Sequence, residues 1–153
     1  MNRKYHYSNN SKAELATCHD DLQIVFNEVI KVTNVDLIIV NGNRSIQEQQ
    51  DMYAQGRTKP GAIVTNVDGV NDIGKHNELP AKAVDICCYV NGKASWEIKH
   101  LCYLGGVVMS TANRLYEEGK IKHRIRWGGN WDGDGEIISD QNLVDGPHYE
   151  IID

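Results

Sequence analysis

Apolar residues recur at helical spacing over two long stretches, with strand-sized apolar runs between and after them, and this alternation of periods confines the chain to a mixed architecture. Ser11 with Glu14 reads as a capping box, and Leu15, Cys18, Leu22, Val25 and Val29 follow on one face, which predicts a core-facing helix from about Lys12 to Val32. Asp36 to Val40 (DLIIV) is a short buried strand. Ser45 with Glu48 opens a second capped helix that stops near Gly56. Ala83 to Val90 reads as a strand leading into an Asn91-Gly92 turn. A long helix then runs from about Trp96 to Glu118, with Gly119 as its stop. Ile121 to Trp127 alternates basic residues with mostly apolar ones, as a half-exposed strand does, and His148 to Ile152 is a last strand. Two stretches rich in Gly, Asp, Asn and Pro, Arg57 to Lys75 and Gly128 to Pro147, are long loops, and loops of that length usually serve function. The order predicts an α+β fold.

The 153 residues suit one domain, 1–153, with a core large enough to fold without disulfides or metal. Against 21 acidic residues stand 16 basic ones, a net charge of −5, with no run of Lys or Arg to follow a phosphate backbone, so nucleic acid is not an expected partner. No window approaches the roughly 18 to 20 apolar residues of a membrane span. Met1 to Asn10 is polar, without the apolar centre of a secretory signal, so synthesis in the cytoplasm is expected, with no membrane insertion and a monomeric state. Cys18, Cys87, Cys88 and Cys102 lack a Cys-x-x-Cys unit and read as buried thiols.

The chemistry is concentrated in two segments, GKHNELPAKAVDI (residues 74–86) and DGPHYEI (145–151), each with a histidine beside a carboxylate. A catalytic zinc takes three ligands from imidazole and carboxylate and keeps one position open, and His76, Asp85 and His148 form such a set. Asp145, three residues before His148, is placed to serve as the base. Singly, each has a bland reading as a surface or core histidine or a turn aspartate. His6, His19, His100 and His123 have no neighbours in sequence that would make them ligands and read as structural or solvated.

These segments resemble the zinc D-Ala-D-Ala carboxypeptidase and L-Ala-D-Glu endopeptidase family, phage endolysins in particular, which share a fold with the hedgehog signalling domain. The family's Ser-x-His and Ala-x-Asp elements are matched by Gly74-Lys75-His76 and Ala83-Val84-Asp85, and its acidic residue before a strand-opening histidine by Asp145-Gly146-Pro147-His148. Residues 41–61 and the RWGGNWDGDG segment (126–135) resemble further family segments. Gly74 stands where Ser is common, and the run between His76 and Asp85 is two residues longer than in the tighter members. The resemblance implies a small antiparallel sheet with flanking helices, zinc on His76, Asp85 and His148, Asp145 as base, and Arg44 binding a substrate carboxylate or the oxyanion. It also implies hydrolysis of the L-Ala–D-Glu bond of the peptidoglycan stem, after release to the cell wall through a pore or lysis. Rival expectations are a D-Ala-D-Ala carboxypeptidase or dipeptidase, and a non-catalytic zinc-binding wall or interaction module. Glu150 reads equally as an orienting partner of His148 or as a solvated carboxylate. Trp127 and Trp131 read as packing residues, one of them bordering the groove.

Asn130, Asp132, Asp134 and Gly135 occupy the first, third, fifth and sixth places of a calcium loop. The twelfth place holds Gln141 where a bidentate Glu is wanted, so a turn without metal is the better reading.

Overall fold

Alternation along the central strand divides the molecule into a packed face and a reactive one. The computed structural model describes residues 4–136 and 145–153. They form helices α1 (Asn9–Ala16), α2 (Asp20–Val32), α3 (Ile46–Ala54) and α4 (Ile98–Glu117), and strands β1 (Asp36–Asn41), β2 (Ala83–Val90), β3 (Lys93–Ser95), β4 (Arg124–Trp127) and β5 (His148–Ile152). The sheet is antiparallel in the order β1-β2-β5-β4, with β3 paired to the far end of β2. Side chains alternate faces along a strand. Val84, Ile86 and Cys88 of β2, Tyr149 and Ile151 of β5, and Ile125 and Trp127 of β4 are buried with Leu22, Val25, Phe26 and Val29 of α2 and Leu104, Val108 and Leu115 of α4. The intervening residues, Asp85, His148, Glu150 and Arg126, are left to share the opposite face.

The helix expected from Lys12 to Val32 is two helices, and its start differs. Ser8, not Ser11, is the N-cap of α1, accepting from the Ser11 N–H. Ser11 is buried, and its hydroxyl accepts the Ile39 N–H of β1. The helix then breaks at Thr17-Cys18-His19, because the backbone there pairs with Ala81: His19 N–H donates to Ala81 O and Ala81 N–H to Thr17 O. The Nδ1 of His19 caps the new helix by accepting from Asp21 N–H. Both pieces bury their apolar side in one core, so the apolar spacing continues through the break.

The other elements lie close to expectation. Ser45 and Glu48 form a reciprocal capping box on α3. Asn91 and Gly92 both take positive φ, 52° and 77°, as a two-residue hairpin turn requires, joining β2 to the short β3 that was not foreseen. The strand expected from Ile121 is shorter, since the Lys122 and His123 amides donate to the Asp21 carboxylate and pairing begins only at Arg124. Among the described residues no helix is long and apolar enough to cross a membrane.

Candidate metal centre

Sheet register brings two of the expected ligands together, for Asp85 of β2 is the direct partner of His148 of β5. The third arrives from a 3₁₀ turn, Lys75–Asn77, tied to the connection after β1: His76 O accepts the Arg44 N–H, and Asn77 donates to Arg44 O. The longer run between His76 and Asp85 loops outward, with Leu79 and Pro80 exposed.

His76 Nδ1 lies 2.8 Å from Gly42 O and donates to it, which leaves the Nε2 lone pair facing inward. His76 Nε2 is 3.3 Å from Asp85 Oδ2, and His148 Nδ1 is 3.3 Å from Asp85 Oδ1. Ligands at zinc distances around a tetrahedron stand about 3.4 Å apart. His76 Nε2 and Asp85 Oδ1 are buried without a hydrogen-bond partner among the described residues. An unsatisfied buried polar atom costs about 1–3 kcal/mol. With the potential ligand atoms of His76, Asp85 and His148 all within 4.8 Å of one another, the set fits a divalent cation that accepts nitrogen and oxygen ligands.

Behind His148 stands Glu150, whose Oε1 is 2.9 Å from His148 Nε2. Its Oε2 accepts from Arg126 Nη2 at 2.7 Å, across the β4–β5 pairing, and lies 3.1 Å from Lys75 Nζ. Of the two readings of Glu150, its position matches the orienting partner, with Nε2 as the anchored nitrogen and Nδ1 turned to the centre. Burial works against the Glu150 carboxylate, but His148, Arg126 and Lys75 outweigh it and hold the group down at about 2. Burial likewise opposes charge on Asp85, yet the two histidines keep it well below the usual carboxylate range. His148 is pushed up to about 9, because Asp85 and Glu150 overcome the opposing effect of burial, so a cation binding there displaces a proton.

Asp145 lines the same cleft and differs in kind. Burial and the negative charge of Asp85 raise its pKa above the usual value, against the pull of His148, His76 and Arg44. Its backbone is pinned on both sides, Asp145 N–H to Gly128 O and His148 N–H to Asp145 O. Gly128 is required there, because a Cβ would sit 2.1 Å from Asp145 O. Arg44 is buried, with Nη2 3.2 Å from Asp85 Oδ2 and Nη1 2.8 Å from Gln49 Oε1. Two of its amino groups are thus committed within the protein. Gln49, which the sequence reading did not single out, donates to Val67 O and ties the loop after Gly61 to Arg44. Its signal was a glutamine on a short helix whose other polar residues face solvent.

His76, Asp85, His148, Glu150, Asp145, Arg44 and Gln49 all line one cleft of about 730 Å³, whose walls include Met52, Ile63, Trp96 and Trp131. Trp131 lies against His148, ring centroids 5.4 Å apart, with the Arg126 guanidinium over its outer face. It borders the groove, whereas Trp127 is a packing residue, stacked on Tyr149 and donating to Gly146 O.

His19 and His123, expected to be structural or solvated, stand with Asp21 in a second His-Asp-His group whose potential ligand atoms also lie within 4.8 Å of one another. His100 contacts Ser95, and His6 is exposed. In the turn from Asn130 to Glu136 the side chains close on their own backbone: Asp134 N–H donates to Asp132 Oδ1, Glu136 N–H to Asp134 Oδ1, and Asn130 to Asp134 O. Gln141 lies outside the described residues. The four cysteines are free, three of them buried, and burial raises all four thiols, Cys18 up to about 12.

A His-Asp-His group that could hold a metal ion, beside a carboxyl whose pKa is raised, is a combination suited to metal-assisted hydrolysis. The fold is also that of the L-Ala D-Glu endopeptidase ChiX of Serratia marcescens, with a TM-score of 0.69, 21% identity, and coverage of 97% of this chain and 91% of that one. The family model for the phage L-alanyl-D-glutamate peptidases matches residues 3–152, and the chain belongs to that family. It is 22% identical to the L-alanyl-D-glutamate peptidase of Escherichia phage T5 over 150 residues, 97% of this chain and 98% of that protein. To the peptidoglycan L-alanyl-D-glutamate endopeptidase CwlK of Bacillus subtilis it is 30% identical over 119 residues, 77% of this chain and 62% of the relative.

Proposed function

We propose that this protein hydrolyses the L-Ala–D-Glu bond of the peptidoglycan stem, with zinc held by His76, Asp85 and His148, and that it acts on the cell wall after release from the cell that makes it. One observation carries the reading: a member of this peptidase family has two buried ligand atoms without hydrogen bonds, and a third beside them, in the lining of an open cleft. Zinc in such a site acts as a Lewis acid, activating water and polarising a carbonyl.

The side chains supply the rest. Asp145, with its carboxyl pKa raised toward the working range, takes the proton of the attacking water and returns it to the departing amine of D-Glu. Arg44 holds Asp85 in place and adds positive charge to the cleft, which offsets the negative charge that develops on the carbonyl oxygen. Glu150 fixes the His148 ring so that Nδ1 faces the centre.

Mass spectrometry of digested peptidoglycan tests this, using the protein as purified, stripped of metal, restored with zinc, and as Asp145→Ala. New amino-terminal D-Glu is expected only with the intact and restored protein. The Asp145 variant should retain the metal and lose about 10²–10⁴-fold in rate, the usual size of a general-base contribution. Equal release of D-Glu in all four samples would refute both the metal dependence and the role of Asp145.

A further inference from the structure

Beside the cleft lies a second hollow, of about 510 Å³, and the two share Val40 and Trp96 in their walls. Trp96 sits on the connection between β3 and α4 with about half of its surface (51%) exposed. An indole this exposed at the junction of two cavities, one of them holding the candidate metal ligands, is placed to contact something passing from one to the other. The second hollow is mostly apolar, walled by Ile38, Ile39, Ala13 and Ala94, with the amide of Asn10 and the carboxylate of Glu14 as its polar groups. Cys87 also lines it. The charged side chain in that wall is Glu14, which is negative, whereas the main cleft carries both signs, Arg44 and Lys75 beside Asp85, Asp145 and Glu150.

The negative wall of the hollow orients the substrate. On the carboxyl side of an L-Ala–D-Glu bond, the stem presents the free α-carboxylate of D-Glu, which a hollow bearing Glu14 repels. On the amino side, L-Ala is acylated by the lactyl group of the muramyl sugar, whose carboxyl is consumed in that amide. The sugar is uncharged, with an apolar ring face suited to an indole and an acetamide suited to Asn10.

We propose that the hollow beside Trp96 is a glycan subsite that receives the N-acetylmuramyl residue attached to the scissile stem, with its pyranose face on the Trp96 ring. This rests on the peptidoglycan reading above and adds the direction in which the stem lies across the centre. The protein thereby favours stems still attached to glycan over free peptides.

The test compares kcat/KM on two defined substrates, an N-acetylmuramyl-linked stem peptide and the same peptide with a plain N-acetyl group, for the wild type, Trp96→Ala and Trp96→Phe. The wild type should favour the muramyl substrate. Trp96→Ala should lower that preference by about tenfold, the scale of one ring-stacking contact, and Trp96→Phe should restore part of it. Circular dichroism and bound-metal content of each variant separate this from misfolding. Equal loss on both substrates, or an unchanged preference, overturns the subsite while leaving the peptidase reading standing. Cleavage of neither substrate by the zinc-loaded wild type overturns the peptidase reading and the subsite with it.

Discussion

The molecule contains the same three residue types twice, His76-Asp85-His148 in the cleft and His19-Asp21-His123 at the start of α2, and in both the potential ligand atoms lie within 4.8 Å of one another. What separates them is hydrogen bonding. At the second group, one oxygen of Asp21 accepts from the Lys122 amide, the His123 amide and His123 Nδ1, and His19 Nδ1 accepts the Asp21 amide. Asp21 Oδ2 and the Nδ1 atoms of both histidines are thus engaged within the protein, and the group pins the turn before β4 to the start of α2. In the cleft, the outward nitrogens of both histidines are anchored, to Gly42 O and to Glu150, while His76 Nε2 and Asp85 Oδ1 lack partners among the described residues. Composition and proximity are thus a poor guide to a metal centre. What distinguishes one is a set of lone pairs the protein has oriented but left unused.

The contrast can be broken most directly by Asp85→Ala set against His123→Ala. Asp85→Ala should abolish tight binding of one zinc per chain and cut turnover by on the order of 10³-fold or more, as loss of several kcal/mol of transition-state stabilisation requires. His123→Ala should keep both. Metal analysis after dialysis, together with the digestion assay, reads the result, and two zinc ions per wild-type chain would erase the distinction drawn here.

A smaller effect sharpens the account of the cleft. Glu150→Gln removes the carboxylate that anchors His148 Nε2 and should weaken zinc affinity by about 10–100-fold, measured by chelator competition. Unchanged affinity would mean that Glu150 serves only as a partner for Arg126 and Lys75.

The smallest effect belongs to the second group and falls on stability. Asp21→Asn should cost about 2 kcal/mol, as loss of charge-assisted hydrogen bonds does, and lower Tm by about 4–8 °C with turnover intact. Although burial opposes it, the bond to His123 and the two amides lower the folded-state pKa of Asp21. A lowered folded pKa means that the unfolded chain binds the proton more readily. The stabilisation is therefore complete above the unfolded value of about 3.9 and fades as pH falls through the folded value. The gap in Tm between wild type and variant should accordingly be full at neutral pH and narrow below about pH 4. A gap that widens in acid would contradict this.

Local patterns, and the family resemblance they carried, made much of this protein legible before any coordinates. The Ser45-Glu48 box, the Asn91-Gly92 turn, the strand from Ala83 to Val90 and the last strand from His148 were readable because each depends on residues within a few positions of one another. The candidate ligand set was nameable because histidine and aspartate sit in matching motifs, and the folded chain brings all three to one cleft. Elements set by partners far along the chain were read wrongly or missed. Ala81 breaks the first helix, and Ser11 serves β1 instead of capping α1.

The sequence by itself determined the alternation that sends Asp85, His148 and Glu150 to one side of the sheet and Val84, Ile86 and Tyr149 to the other, since side-chain direction along a strand is local geometry. Only the tertiary structure decided which of two similar His-Asp-His groups keeps buried ligand atoms without hydrogen bonds. That depends on where backbone amides from distant segments come to rest, and short-range residue preferences carry no information about those positions.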